Sequence, residues 1–142
     1  MTVTRDGVAV LDCDRCGEAE VWQDVQVVGR PYQLSSYGRL THPQTGLKAA
    51  RVTGRGYPIF TFHFGSSWRD RRYVAVHNLV ASTFIGLPSS GQEVNHKDGD
   101  KTHSCASNLE YMTRGENIKH AYRTGLRRAN TEAANNARRR TA

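Results

Sequence analysis

The residues best suited to chemistry sit in three short runs: Val94-Asn95-His96-Lys97-Asp98-Gly99-Asp100-Lys101, Asn108-Leu109-Glu110-Tyr111 and Glu116-Asn117-Ile118-Lys119-His120. A histidine lies on the first arm of an Asp-Gly turn, an asparagine opens the returning arm, and a following helix carries another asparagine. A neutral imidazole with an unperturbed pKa of about 6.5 accepts a proton from water near pH 7, so His96 suits a general base. Asn95 and Asn117 offer amide oxygens to a divalent cation, with His120 one helical turn from Asn117 as a further ligand. Mg²⁺ (or Mn²⁺) takes oxygen ligands and keeps several waters, so one or two protein groups beside a phosphate suffice. Base, cation and water together are what hydrolysis of a phosphodiester needs. Alternation sends Asn95 and His96 to opposite strand faces, so both serve one site only where the strand is short and distorted. Asn108 is expected to hydrogen-bond backbone across the 98–108 loop and hold His96 in place. The turn itself accounts for Asp98 and Asp100.

The elements that must position these groups follow from local pattern. Residues 94–97 and 109–112 read as two strands joined through Asp98-Gly99, where glycine accepts the positive φ of a tight turn. Thr113 is a helix N-cap with Glu116 as its capping-box partner, and the helix ends near Gly125. Upstream, His77, Val80, Ala81 and Phe84 fall on one face of a short helix, which makes His77 a core or supporting histidine. Residues 57–64 and 71–76 read as an antiparallel hairpin, with Pro58 at a strand start or sheet edge. His63 is expected on the exposed side of that hairpin. Short extended pieces fill 21–41, punctuated by Gly29-Arg30-Pro31 and Tyr37-Gly38. The expected fold class is α+β: a small β-rich part over 1–70, a core over 71–125 and a basic tail over 126–142.

The chain has 142 residues, 37% of them hydrophobic, and a formal charge of +7. That size allows one compact domain, or two very small units sharing a core. The basic excess favours a polyanionic partner, usually nucleic acid. Arg69, Arg71 and Arg72 form one candidate phosphate-binding cluster, and Arg127 and Arg128 open another that continues through Arg138-Arg139-Arg140. Past Gly125 the residues include five arginines and one acid with almost no large apolar side chain, too few to build a core. No apolar run approaches the roughly 20 residues of a membrane span, and no membrane partner is expected. The first residues lack a basic stretch followed by an apolar one, so a signal peptide is not expected. The three cysteines then read as reduced thiols. Cys13-Asp14-Arg15-Cys16-Gly17 is a CxxC knuckle that can give two thiolates to a structural Zn²⁺, with Cys105, His103 or His42 completing the set.

The run from Val76 to His120 resembles the HNH nuclease family, in the branch of phage and intron-encoded homing endonucleases. The resemblance lies in Val76-His77-Asn78-Leu79-Val80-Ala81, in the three runs quoted above, and in Met112-Thr113. It implies a ββα-metal fold, a hairpin and helix clasping one divalent ion. It implies His96 as general base, Asn108 as the structural asparagine, Asn117 as a metal ligand, and Asn95 where relatives carry a metal-binding aspartate or another ligand. Residues 22–41 resemble, more loosely, a small nuclease-associated module that implies DNA contact on the N-terminal side. The expected activity is metal-dependent DNA cleavage, in the cytoplasm of a bacterial host if the chain is phage-encoded. Two alternatives stand beside it: a DNA-binding protein on the same scaffold without cleavage, and an RNA-directed or packaging-associated nuclease. A zinc-dependent structural adaptor is a more distant one.

Overall fold

The computed structural model describes Cys13 and residues 15–125, together with two paired backbone strands, β1 (Thr2–Val3) and β2 (Ala9–Val10). The architecture is α+β. A four-stranded antiparallel sheet comprises β3 (Trp22–Val27), β4 (Arg30–Ser35), β5 (Leu40–His42) and β6 (Gly46–Lys48) in that order. A three-stranded sheet follows, with β8 (Pro58–His63) between β7 (Arg51–Val52) and β9 (Arg71–Ala75). Helix α1 (Val76–Phe84), the hairpin β10 (Gln92–His96) and β11 (Leu109–Thr113), and helix α2 (Arg114–Arg123) complete the described chain.

Period-2 patterning builds the core. In β8 the inward side chains are Pro58, Phe60 and Phe62, while Ile59, Thr61 and His63 turn outward. Phe60 and Phe62 join Leu34 and Leu40 from the first sheet, Val76, Val80 and Ala81 from α1, and Leu109 from β11 in one apolar cluster. Full burial of each such phenylalanine is worth about 1.5–3 kcal/mol. The expected hairpin of residues 57–64 and 71–76 is present, with Ile59 opposite Ala75 and His63 opposite Arg71. Pro58 starts its strand rather than lying at a sheet edge, because β7 covers the other side and Val52 pairs with Pro58. The 70/71 boundary falls at the start of β9, inside this hairpin, and the shared core runs across it.

The β3–β4 turn is a two-residue one in which Val28 and Gly29 both have positive φ, 49° and 75°. That twist suits a right-handed hairpin, but a β-branched residue at positive φ is strained. Packing of Val28 against the apolar cluster holds it there.

Helix α2 begins as expected. The Thr113 hydroxyl accepts from the Glu116 N–H at 3.3 Å, and the Glu116 carboxylate accepts from the Thr113 N–H at 2.9 Å. Gly125, with φ of 77°, lies past its end. None of its residues is fully buried. The helix is tied to the hairpin by polar contacts instead: Asn117 Nδ2 donates to Glu93 Oε1 at 2.6 Å, and His120 Nε2 donates to the Lys97 carbonyl at 3.2 Å.

Candidate active site

The β10–β11 connection runs from Lys97 to Asn108 and is held by its own polar side chains. The Asp-Gly pair begins this long loop and does not close a two-residue hairpin; Gly99 N–H returns to the His96 carbonyl at 2.9 Å. Asn108 spans the loop. Its Oδ1 accepts from the Asp98 N–H at 3.2 Å, and its Nδ2 donates to Asp98 Oδ1 and to the His103 carbonyl, both at 2.9 Å. Its own carbonyl accepts from the Lys97 N–H at 2.8 Å. One buried asparagine thus clamps the residues immediately after His96. Asp98 also takes the His103 Nδ1–H at 2.6 Å, and Asp100 accepts from the Thr102 N–H and hydroxyl at 2.9 and 2.6 Å. The hydrogen bond from the Thr102 hydroxyl does most to hold the Asp100 carboxyl down at about 2, with Arg15 adding to it. Both aspartates are committed to loop structure.

His96 is 6% exposed, with its ring 5.2 Å from that of His77 and 6.1 Å from that of Tyr57. Nε2 of His96 and Nδ1 of His77 are buried without a hydrogen-bond partner. Nδ1 of His96 is not among these buried, unpartnered atoms. Burial lowers the His96 pKa below the ordinary histidine value, although Asp98 and Asp100 pull the other way. Burial, with the charge of His96 second, takes His77 down to about 4. Both rings are therefore neutral at pH 7, the state a proton acceptor needs. The His77 ring packs beside that of His96.

A cleft of about 430 Å³ lies over the open edge of β10, and its lining includes Tyr57, Asn95, His96, Lys101, Arg114 and Asn117. Cross-strand pairing puts Asn95 opposite Glu110 and His96 opposite Leu109, on the two faces of the hairpin. Because β10 is an edge strand, the cleft reaches both faces, and the alternation does not separate the two residues. Asn95 Nδ2 donates to Glu110 Oε1 at 3.1 Å, and Asn117 Nδ2 donates to Glu93. Each glutamate thereby orients an amide. Among the described residues, no hydrogen bond is made to Oδ1 of Asn95 or Asn117. Oriented amide oxygens suit a hard divalent cation that keeps most of its waters. His120 does not line the cleft, and its Nε2–H is bound to the Lys97 carbonyl, so it fastens α2 beside the site.

The cleft also holds cations that sequence reasoning did not single out. Lys101 Nζ donates to the Arg55 carbonyl at 3.0 Å and sits 4.8 Å from the Tyr57 ring centroid. Arg114 enters at the first turn of α2. Only their places directly after the Asp-Gly-Asp run and the helix cap could have signalled them. Arg69, Arg71 and Arg72 lie around the start of β9, outside the cleft lining; Arg69 stacks on the exposed Trp68, and Arg72 donates to the Arg69 and Arg71 carbonyls. Arg127 and Arg128 fall outside the described residues.

The CxxC knuckle meets the same loop from the other side. Donor atoms of Cys13, Cys16, His103 and Cys105 all lie within 4.8 Å of one another, a group able to hold a metal ion. His42, the other histidine considered for this set, lies elsewhere: its Nδ1 accepts from the Gln44 N–H and its ring packs on Tyr32.

An antiparallel hairpin followed by a helix, with a buried histidine and two oriented amides around one cleft, defines a ββα nuclease-type site. Residues 74–119 match the family model described as HNH endonuclease, and this segment is an HNH endonuclease domain. An uncharacterised HNH endonuclease of Acanthamoeba polyphaga mimivirus is 30% identical over 112 residues, 77% of this chain and 28% of the relative. The DNA endonuclease I-HmuI of Bacillus phage SP01 is 27% identical over 105 residues, 73% of this chain and 59% of the relative. The solved structure described as DNA binding and cleavage by the HNH homing endonuclease I-HmuI aligns with a TM-score of 0.62 at 27% identity, covering 74% of this chain and 59% of that one. The chain thus spans between 28% and 59% of the length of these relatives. No helix among the described residues is long and apolar enough to cross a membrane.

Proposed function

We propose that the chain is a metal-dependent endonuclease that hydrolyses phosphodiester bonds in double-stranded DNA. The observation that carries this reading is the convergence of a buried neutral imidazole, His96, and two glutamate-oriented amides, Asn95 and Asn117, on one cleft. The solved relative's description as a DNA-binding and DNA-cleaving enzyme supports the choice of substrate.

His96 Nδ1 takes a proton from a water in the cleft as that water attacks phosphorus. Asn108 and Asp98 fix the backbone that aims the ring, and the neutral His77 and Tyr57 rings pack against it. Lys101 and Arg114 draw the phosphate in and offset its charge. Asn95 and Asn117 would hold a Mg²⁺ or Mn²⁺ ion, which supplies stabilisation of the charge on phosphate and on the departing 3′ oxygen. Arg69, Arg71 and Arg72, with Arg127 and Arg128 beyond the described residues, fit phosphate contacts that position the duplex without reading its sequence. In this reading His120 acts by pinning α2 to the hairpin.

One observation favours the alternative of DNA binding without cleavage: the amide at Asn95 carries no charge, and a cation binds a neutral ligand less tightly than a carboxylate. Asn117→Ala separates the two. In the cleavage reading it raises the Mg²⁺ concentration needed for half-maximal rate by about 10–100-fold while affinity for DNA in EDTA is unchanged. Labelled duplex DNA, single-stranded DNA and RNA of one sequence are the substrates to compare. Duplex DNA is expected to be cut fastest, leaving 5′-phosphate and 3′-hydroxyl ends. Preferential cutting of RNA would support the RNA-directed alternative, and binding without product under any metal would support the scaffold alternative.

A further inference from the structure

We propose that Cys13, Cys16, His103 and Cys105 form a structural Zn²⁺ site that clamps the segment ahead of the first sheet onto the loop behind His96. Three sulfurs and one imidazole nitrogen are a complete tetrahedral ligand set, and a closed set of that kind is structural. The ligands come in two close pairs, Cys13-x-x-Cys16 and His103-x-Cys105, from segments far apart in sequence. Cys13 Sγ lies 2.9 Å from Cys16 Sγ and 3.0 Å from His103 Nε2, and Cys16 Sγ lies 3.2 Å from that nitrogen. Cys105 is 2% exposed and His103 8%.

The imidazole is set as a ligand by its other side. His103 Nδ1 donates to Asp98 Oδ2 at 2.6 Å, which leaves the Nε2 lone pair directed at the sulfurs. A carboxylate behind a histidine in this way fixes the tautomer and raises the ligand's basicity. The same Asp98 takes the Asn108 amide through its other oxygen. Arg15, between the two knuckle cysteines, reinforces the junction by donating to Asp100 at 2.9 Å and lying 3.7 Å from Asp98. The proposed metal is thus one histidine and one aspartate away from the asparagine that holds the catalytic hairpin.

Metal analysis of the full chain, purified without chelator, is expected to find one zinc per chain. Replacement by Co²⁺ should give the visible absorption of a tetrahedral thiolate site. Cys16→Ser, at a part-buried position that accepts a hydroxyl without crowding, should lower retention against a chromophoric chelator by about tenfold or more. His103→Cys should retain the metal through four thiolates, and its Co²⁺ spectrum should shift accordingly. Purified chain without zinc whose thiols stay reactive after Zn²⁺ or Co²⁺ is added overturns the proposal. So does a Cys13–Cys16 disulfide found by mass.

The consequence for cleavage rests on the proposed function. After stripping with EDTA, Mg²⁺ alone should restore part of the activity, and Zn²⁺ with Mg²⁺ all of it. Full recovery with Mg²⁺ in chain shown to lack zinc would break the link between the clamp and the site. Zinc bound tightly in a chain that never cuts DNA would sustain the metal site and count against the nuclease reading alone.

Discussion

His96→Ala is expected to slow DNA cleavage by about 10²–10⁴-fold, the usual contribution of a general base, while affinity for DNA in EDTA stays within about twofold. In the proposed mechanism cleavage depends on one nitrogen, Nδ1 of His96, whereas affinity is spread over cations such as Lys101 and Arg114 and over the arginines of the 69–72 segment. The imidazole is nearly fully buried against His77 and Tyr57, so truncation also leaves a small void. His96→Gln fills most of that volume and cannot act as a base near pH 7. A rate loss shared by both variants, with thermal melts close to wild type for His96→Gln, assigns the effect to proton transfer. Cleavage retained in His96→Ala would remove the residue from the mechanism.

Asn108→Ala is expected to damage both stability and cleavage. It removes the acceptor for the Asp98 N–H and two donated bonds, to Asp98 Oδ1 and to the His103 carbonyl, at a buried position. Leaving buried polar groups unpaired costs about 1–3 kcal/mol each and the losses are not additive, so a total of about 2–4 kcal/mol is expected. A melting temperature lower by about 10 °C would correspond. Cleavage should fall further than the folded fraction explains, since the residues following His96 lose their cross-loop tie. Asn108→Asp keeps the acceptor but sets a second carboxylate beside Asp98, and should be no better than alanine. A variant that melts like wild type and cuts at full rate would show that the clamp does not position the base.

The hairpin and helix that border the cleft were legible because their cues are local. The Thr113–Glu116 capping box, Gly125 past the helix end, and the alternation in 57–64 each rest on residues a few positions apart, and each element is present. Short-range pattern also suggested the cross-loop role of Asn108 and the inward place of His77. What was not legible depends on distant segments meeting. The CxxC knuckle named two ligands, but the choice among His42, His103 and Cys105 depended on which loop folds back onto it. The place of Arg114 in the cleft depends on α2 packing beside β10, and that of Lys101 on its loop meeting Arg55 and Tyr57, neither of which spacing encodes. Alternation sends Asn95 and His96 to opposite faces, and the strand read by itself does not show that β10 lies at a sheet edge. At an open edge both faces border the same space. His120 has the helical spacing of a ligand, yet its Nε2–H is bound to the Lys97 carbonyl.

The most direct test is incubation of supercoiled plasmid with the purified chain in Mg²⁺, in Mn²⁺ and in EDTA, with a mobility-shift lane for each condition. The account predicts nicked or linear DNA with either metal, none in EDTA, and a shifted complex in all three. An intact plasmid under both metals, beside a clear shift on the same DNA, would contradict it.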